Sequence, residues 1–190
     1  MKIFAASVLL AFTGMVFAAT DASPAPAVPR KAPEFVFNLQ DGRQLLLSSF
    51  RGKTVMITFM FTTCPHCQAL CPELGVIQKE YASKGVEIVG GVIDAGAKDG
   101  LLQFTQLYSR GAFPVGWSTQ DAALEFLKHP DPHYYVPMVA FIDKRGVIRS
   151  QYIGNEAFFS NGPKSIRAEL DKILNGPVAV SKSVPSKKKP

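Results

Sequence analysis

Three cysteines, the only ones in 190 residues, fall within a short stretch as Cys64, Cys67 and Cys71. A secreted scaffold stapled by disulfides spreads its cysteines along the chain, so this clustering points to thiol chemistry or to metal. Cys64-Pro65-His66-Cys67 follows an apolar run over 54–61 and opens a helical stripe. A strand that ends before Cys64 and a helix that begins with Pro65 put the Cys64 sulfur at the N-cap. There it meets unpaired backbone N–H groups and the positive end of the helix dipole. Both favour thiolate over thiol, and a protonated His66 adds a second positive charge nearby. Cys67 follows one turn later on the same side. Because Cys64 is not itself helical, the pair can reach the Cβ separation of about 3.8 Å that a disulfide needs.

Cys71 lies one further turn along that face. Side chains at this spacing have Cβ atoms about 5–6 Å apart and pointing the same way, a poor disulfide geometry. Two readings stand for it: a small buried apolar residue, or one of two thiolates that, with a histidine, would suit copper. A zinc site needs about four ligands, and three cysteines on one helix cannot close a tetrahedron without a distant histidine.

The elements that must position these residues follow from periodicity and punctuation. Residues 35–39 and 44–47, joined through Asp41-Gly42 as a two-residue turn, read as a hairpin. The run 54–61, apolar and β-branched, reads as a strand buried on both faces. A helix is expected over 65–84, with Cys67, Leu70, Cys71, Leu74, Ile77 and Tyr81 on one face and Gly85 as its stop. A strand over 86–93 comes next, then a helix over 100–109 closed by Gly111 and a shorter one over 121–128 stopped by Pro130. A second hairpin, 139–143 and 147–153, turns at Lys144-Arg145-Gly146, and Pro163 opens a last helix with Ile166, Leu170, Ile173 and Leu174 on one face. This order predicts an α/β fold with a mixed central β-sheet, helices on both faces and an added N-terminal β-hairpin.

The ends differ from this middle. Residues 1–18 carry Lys2, an apolar stretch from Ile3 to Phe17 and small residues at Val16-Phe17-Ala18, the pattern of a cleavable export signal; the stretch is short for a membrane span, which takes about 20 apolar residues. Residues 19–32 are Ala/Pro-rich and read as a flexible linker, 33–175 as the folded domain, and 176–190 as a basic disordered tail ending in Ser-Lys-Lys-Lys-Pro. The net charge is +6, yet residues 33–175 hold 14 Lys/Arg and 14 Asp/Glu. The excess sits at the ends, so no nucleic-acid surface is expected. Weak membrane contact through an uncleaved N-terminus or the lysine tail is the membrane partner the composition allows.

The motifs between Pro33 and Asn175 resemble the TlpA/ResA-like branch of the thioredoxin superfamily. The matching residues are Phe35, Leu39-Gln40-Asp41-Gly42, Arg51-Gly52-Lys53, Cys64-Pro65-His66-Cys67, Pro72, Val136-Pro137 before the strand 139–143, and Gly146. The resemblance implies a thioredoxin-like fold, a periplasmic or otherwise extracytoplasmic place, and thiol–disulfide exchange with protein thiols and disulfides. A membrane or periplasmic redox partner would restore the pair. It implies no cofactor beyond a redox-active Cys64–Cys67 disulfide. Cys64 would attack a substrate disulfide and Cys67 resolve the mixed disulfide, or the reverse would oxidise a dithiol. Pro137 would be cis, pack on the dithiol and help bind substrate together with Val136, and Pro72 would kink the helix.

The chain departs from the pattern at three positions. Leu70 stands where the dithiol family carries an acid, Thr58 where thioredoxin has a buried one, and Thr63 where a tryptophan precedes the first cysteine; Glu73 is the acid available to substitute. Pro-His between the cysteines and Val before the proline resemble disulfide oxidases of the DsbA type, whereas the scaffold resembles reductants. Cys67-x-x-x-Cys71-Pro72 is similar to Sco-type copper chaperones, for which Cys67, Cys71 and His133 would bind Cu(I), although His133 is displaced from the position those proteins use. A peroxidase would need a threonine or serine three residues before Cys64, where this chain has Phe61. Trp117, Tyr134 and Tyr135 are read as groove or packing aromatics.

Overall fold

All seven residues of Thr54–Met60 are buried, because their two faces meet two different layers. The computed structural model describes residues 28–131 and 133–176. Its strands are β1 (Arg30–Lys31), β2 (Val36–Asn38), β3 (Gln44–Leu46), β4 (Thr54–Met60), β5 (Val86–Val92), β6 (Val115–Trp117), β7 (Met138–Ile142) and β8 (Val147–Tyr152). Its α-helices are α1 (Pro65–Tyr81), α2 (Ala97–Phe104), α3 (Gln120–Leu127) and α4 (Gly162–Asn175). The strands form one sheet in the order β1-β8-β7-β4-β5-β6-β2-β3. β4 runs parallel to β5 and antiparallel to β7, and β5 runs parallel to β6. This is the expected mixed sheet of a thioredoxin-like fold.

The alternation along β4 divides the core. Met56 and Met60 face α1, α2 and α4, where Leu74, Ile77, Leu101, Phe104, Ile166 and Leu170 are buried. Val55, Ile57 and Phe59 face the other side, where α3 and the N-terminal hairpin supply Phe126, Leu127, Phe35 and Phe37. Phe35, Phe37, Phe59 and Phe126 interlock, Phe35 and Phe37 tilted with centroids 4.8 Å apart and the other pairs edge to face out to 5.9 Å for Phe59–Phe126. Each fully buried side chain of this size contributes about 1.5–3 kcal/mol relative to exposure. Helices therefore lie on both faces, as the sequence predicts.

Several boundaries differ from expectation. The first hairpin turns through Gln40-Asp41-Gly42 rather than two residues, with Leu39 N–H donating to Arg43 O at 2.8 Å and Gly42 at φ +83°. A three-residue loop ending in a left-handed glycine suits the twist of the strands as well as a two-residue one does. The linker expected over 19–32 gives way to structure before residue 32: Arg30 and Lys31 pair with Ile148 and Val147 of β8, and Arg30 Nη2 donates to Phe126 O at 2.8 Å. α2 begins three residues earlier than expected and passes into a π-helical turn, Thr105–Ser109, that ends at Arg110 in the left-handed region (φ 50°). α3 ends on Lys128 at φ 51°. The short β6, unforeseen in the sequence, is what docks the hairpin on the sheet, through Asn38 opposite Trp117. The expected signal, 1–18, lies outside the described residues, as does the tail beyond Gly176. Among the described residues no helix is long and apolar enough to cross a membrane.

Candidate active site

β4 delivers the chain to a tight loop, Phe61-Thr62-Thr63, and α1 starts at its end. Cys64 is the N-cap in extended conformation, and Pro65 occupies the first turn, where its missing N–H costs nothing. The Cys64 sulfur accepts the N–H of Cys67 at 3.3 Å, which satisfies one of the donors a helix start leaves free. On its other side it donates to the carbonyl oxygen of Val136 at 3.7 Å. Cys64 is half-buried, whereas Cys67 is fully buried behind it, and both are free thiols. Burial pushes the Cys67 thiol far up, and its hydrogen bond to Cys64 pushes it further. One sulfur is therefore accessible, and the other is buried where its protonated form is favoured.

The Phe61–Thr63 loop is anchored by residues that sequence reasoning missed. Asp94, two residues past the end of β5, accepts the Thr62 N–H at 2.8 Å and the Thr62 hydroxyl at 2.6 Å. Gln68, one turn into α1, donates to Thr62 O at 2.7 Å. Asp94 offered the one signal that could have been read, an acid at the C-terminal end of a buried strand, the end where α/β sheets place their sites.

The Val136–Pro137 peptide is cis, and Pro137 is buried at the start of β7. Gly154, past the end of β8, donates its N–H to Tyr135 O at 3.0 Å. A Cβ at residue 154 would stand 2.9 Å from both the carbonyl carbon and oxygen of Val136, so glycine is what lets the two backbones touch. Beside the dithiol these segments enclose a groove of about 430 Å³, lined among others by His66, Leu70, Glu73, Pro137, Glu156 and Phe159. His66 is exposed on its rim. Glu73 and Leu70 both line the groove, Leu70, where the resemblance leads one to expect an acid, as a buried side chain.

The remaining sequence candidates fall elsewhere. Thr58 is fully buried, and its hydroxyl has no hydrogen-bond partner among the described residues. α1 continues through Pro72 without ending there. Cys71 is fully buried with its thiol 3.6 Å from Met60 Sδ, and burial pushes it up to about 12. His133 is not brought to the cysteines: its ring is 91% exposed and 3.2 Å from Asp131. Among the described residues no three His, Cys, Asp or Glu side chains converge to hold a metal ion, so the set Cys67, Cys71 and His133 does not assemble. The reason is topological, since α3, which precedes His133 in the chain, packs on the opposite face of the sheet from Cys71. Tyr134 packs its ring on Phe61 at 6.1 Å, Trp117 is half-buried against the α1 side of the core, and Tyr135 is exposed.

A family model described as Redoxin matches residues 27–162. Among curated proteins, the thiol-disulfide oxidoreductase ResA of Bacillus thuringiensis subsp. konkukian is 33% identical over 89 residues, 46% of this chain and 50% of that protein. ResA of Geobacillus thermodenitrificans is 29% identical over 131 residues, 68% of this chain and 71% of that protein. The chain thus spans about half the length of the first of these relatives and more of the second. Among solved structures, a thiol:disulfide interchange protein of the thioredoxin family from Chlorobium tepidum superposes with a TM-score of 0.60 at 24% identity, covering 79% of this chain and 99% of that one. The thioredoxin domain of a thiol-disulfide oxidoreductase from Bacteroides vulgatus gives a TM-score of 0.63 at 19% identity, covering 79% and 99%. At these identities the two structures speak for the fold.

Proposed function

Because the chain belongs to the Redoxin family, we propose that it is a thiol–disulfide oxidoreductase that exchanges disulfides with protein substrates through Cys64 and Cys67, outside the cytoplasm. The observation that carries this reading is the division between the two sulfurs. Cys64 is accessible at the helix start, and Cys67 sits buried within reach of it, its N–H on the Cys64 sulfur at 3.3 Å. The curated ResA relatives are themselves named thiol-disulfide oxidoreductases, which supports the same reading.

In the reducing direction the Cys64 thiolate attacks one sulfur of a substrate disulfide. A Cys64–substrate S–S bond forms, the substrate S–S bond breaks, and the leaving sulfur takes up a proton. Cys67 then gives up its proton and attacks Cys64 Sγ, which forms the Cys64–Cys67 disulfide and releases the second substrate thiol. Two electrons pass from the dithiol to the substrate, and a redox partner returns them; no cofactor is needed. Run backwards, the same steps oxidise a substrate dithiol. Val136 and Pro137 present a backbone edge beside Cys64 on which an extended substrate chain can lie. Pro65 opens the helix that exposes the sulfur, and His66 stands at the rim where the substrate arrives.

Insulin reduction tests the reading. Activity is expected to vanish in Cys64→Ser, while Cys67→Ser accumulates a mixed disulfide through Cys64. Turnover that survives loss of both cysteines overturns it. The reduction potential of the pair gives the direction: about −120 mV marks an oxidant, and about −270 mV or lower a reductant.

A further inference from the structure

The fold sorts its charges although its sequence balances them. At the end of the sheet opposite the dithiol, where β4 and β5 begin and α4 ends, lies a cleft of about 590 Å³. Its cations are Lys84, Lys144, Arg145, Arg149 and Lys172. A second cleft of about 480 Å³ shares Asp143, Lys144 and Arg145 with the first and adds Lys31, Arg51, Lys53 and Lys128. All of these except Arg149 are exposed. The carboxylates that line these clefts or form ion pairs with their cations are four, Glu34, Glu87, Asp143 and Glu169, of which Asp143 is paired with the arginines beside it; Glu80, near Lys84, is paired with Arg167. The two clefts thus form one continuous face with an excess of positive charge. The strand between this face and the dithiol, seven residues of β4, spans roughly 23 Å at about 3.3 Å per residue.

Both ends of the described chain leave from this same face. Pro29 and Gly176 line the first cleft. The sequence before Pro29 carries the apolar stretch Ile3–Phe17, and the sequence after Gly176 carries Lys182 and Lys187-Lys188-Lys189. Positive charge spread over two adjoining clefts, rather than gathered in one pocket, matches a plane of anionic headgroups. An apolar stretch in the sequence that leads up to this face suits a lipid surface and has no use on a nucleic acid.

We propose that this basic pole docks the protein on an anionic membrane surface, with the Cys64–Cys67 end facing away from the lipid. The inference goes beyond the redox reading and does not rest on it, because the test reads lipid binding and not exchange.

The full chain is mixed with vesicles of phosphatidylcholine alone, or with about one third phosphatidylglycerol, and separated by flotation. At least tenfold more protein is expected on the anionic vesicles at 50 mM salt, and the difference should collapse at 500 mM as charge is screened. Lys84→Glu with Lys144→Glu, at the pole, should lower binding about tenfold. Lys98→Glu with Lys164→Glu, the same charge change near the dithiol end, should leave it within twofold. Cys64 of the bound protein should react with a water-soluble maleimide as fast as in free protein. Equal binding to neutral vesicles, equal loss in the two double variants, or protection of Cys64 overturns the proposal. Loss through Lys187→Gln, Lys188→Gln and Lys189→Gln with the pole variant unaffected overturns it too, as does displacement by duplex DNA at matched phosphate.

Discussion

The carbonyl oxygen of Val136 stands 3.7 Å from the sulfur of Cys64, and the backbone of Gly154 lies against that same carbonyl. A Cβ on residue 154 would meet Val136 C and O at 2.9 Å. Three separate segments, the end of the β4 loop, the cis peptide before β7 and the turn after β8, are thereby stacked on one another. In its hydrogen bonds with Val136 O and the Cys67 N–H the Cys64 sulfur meets backbone groups.

Gly154→Ala is expected to push the Val136 carbonyl off Cys64. The φ of Gly154 is not in the left-handed region, so the effect is one of space and not of backbone strain. Overpacking of this kind costs about 1–3 kcal/mol of stability. Because the displaced group borders the sulfur proposed to attack, the rate of insulin reduction should fall about tenfold at temperatures where the variant stays folded. A melting curve alongside the rate checks this; an unchanged rate would show that the contact does not set the site.

Alkylation should distinguish the three thiols. Cys67 and Cys71 are both fully buried and both shifted upward, the second to about 12. Native reduced protein treated with iodoacetamide at pH 8 should take one equivalent, on Cys64, with the other two labelled only after unfolding. Mass spectrometry of the native product reads this directly. A second equivalent on Cys71 would contradict its burial beside Met60.

Cys71→Ala carries a related expectation. The side chain fills space on the α1 face against Met60. Its loss should cost about 1 kcal/mol of stability, the size of a small cavity, and leave insulin reduction within twofold. A loss of exchange by more than tenfold would assign Cys71 to the chemistry.

Where the sequence could be read, and where it could not, follows from the range of each contact. Cys64 to Cys67 is local, a strand end followed by a helix start, so apolar periodicity and Pro65 placed the sulfurs correctly. The buried β4, the helical face from Cys67 to Tyr81 and the glycine turn at 146 are legible for the same reason. Asp94 on Thr62 and Gly154 on Val136 join positions distant in sequence, and neither residue type announces such a contact. β6 and β1, at three and two residues, are too short to show a period; each forms because a neighbouring strand offers an unpaired edge. The basic pole was hidden because its cations, from Lys31 to Lys172, are scattered along the chain and are gathered only when the fold brings them to one end of the sheet.

Asp94 should act as a positioning residue. Its two carboxylate oxygens hold the amide and hydroxyl of Thr62, two residues before Cys64, and it touches neither sulfur. Asp94→Ala should free that loop and lower kcat/KM for exchange about tenfold. Asp94→Asn keeps one acceptor and should recover most of the rate. A variant pair that lost activity equally, with melting temperatures also equal, would point to a role other than holding Thr62.

Asp143 ties stability to pH. It accepts Nε and Nη2 of Arg149 at 2.7 and 2.6 Å and the N–H groups of Arg145 and Val147 at 2.9 and 3.1 Å. Burial alone would raise its carboxyl, but these hydrogen bonds and the Arg149 charge prevail and hold it below the usual range. A folded-state value below the unfolded one means that its contribution is fully present above about pH 4, the unfolded value. It is lost as the pH falls through the folded value. Hydrogen bonds to a charged group of this kind contribute about 1.5–3 kcal/mol. Asp143→Asn should therefore lower stability at pH 7 by an amount in that range and flatten its decline below about pH 4, as urea unfolding at each pH will read. The same substitution removes one of the four carboxylates of the basic pole, so binding to anionic vesicles should rise in the variant even as its stability falls.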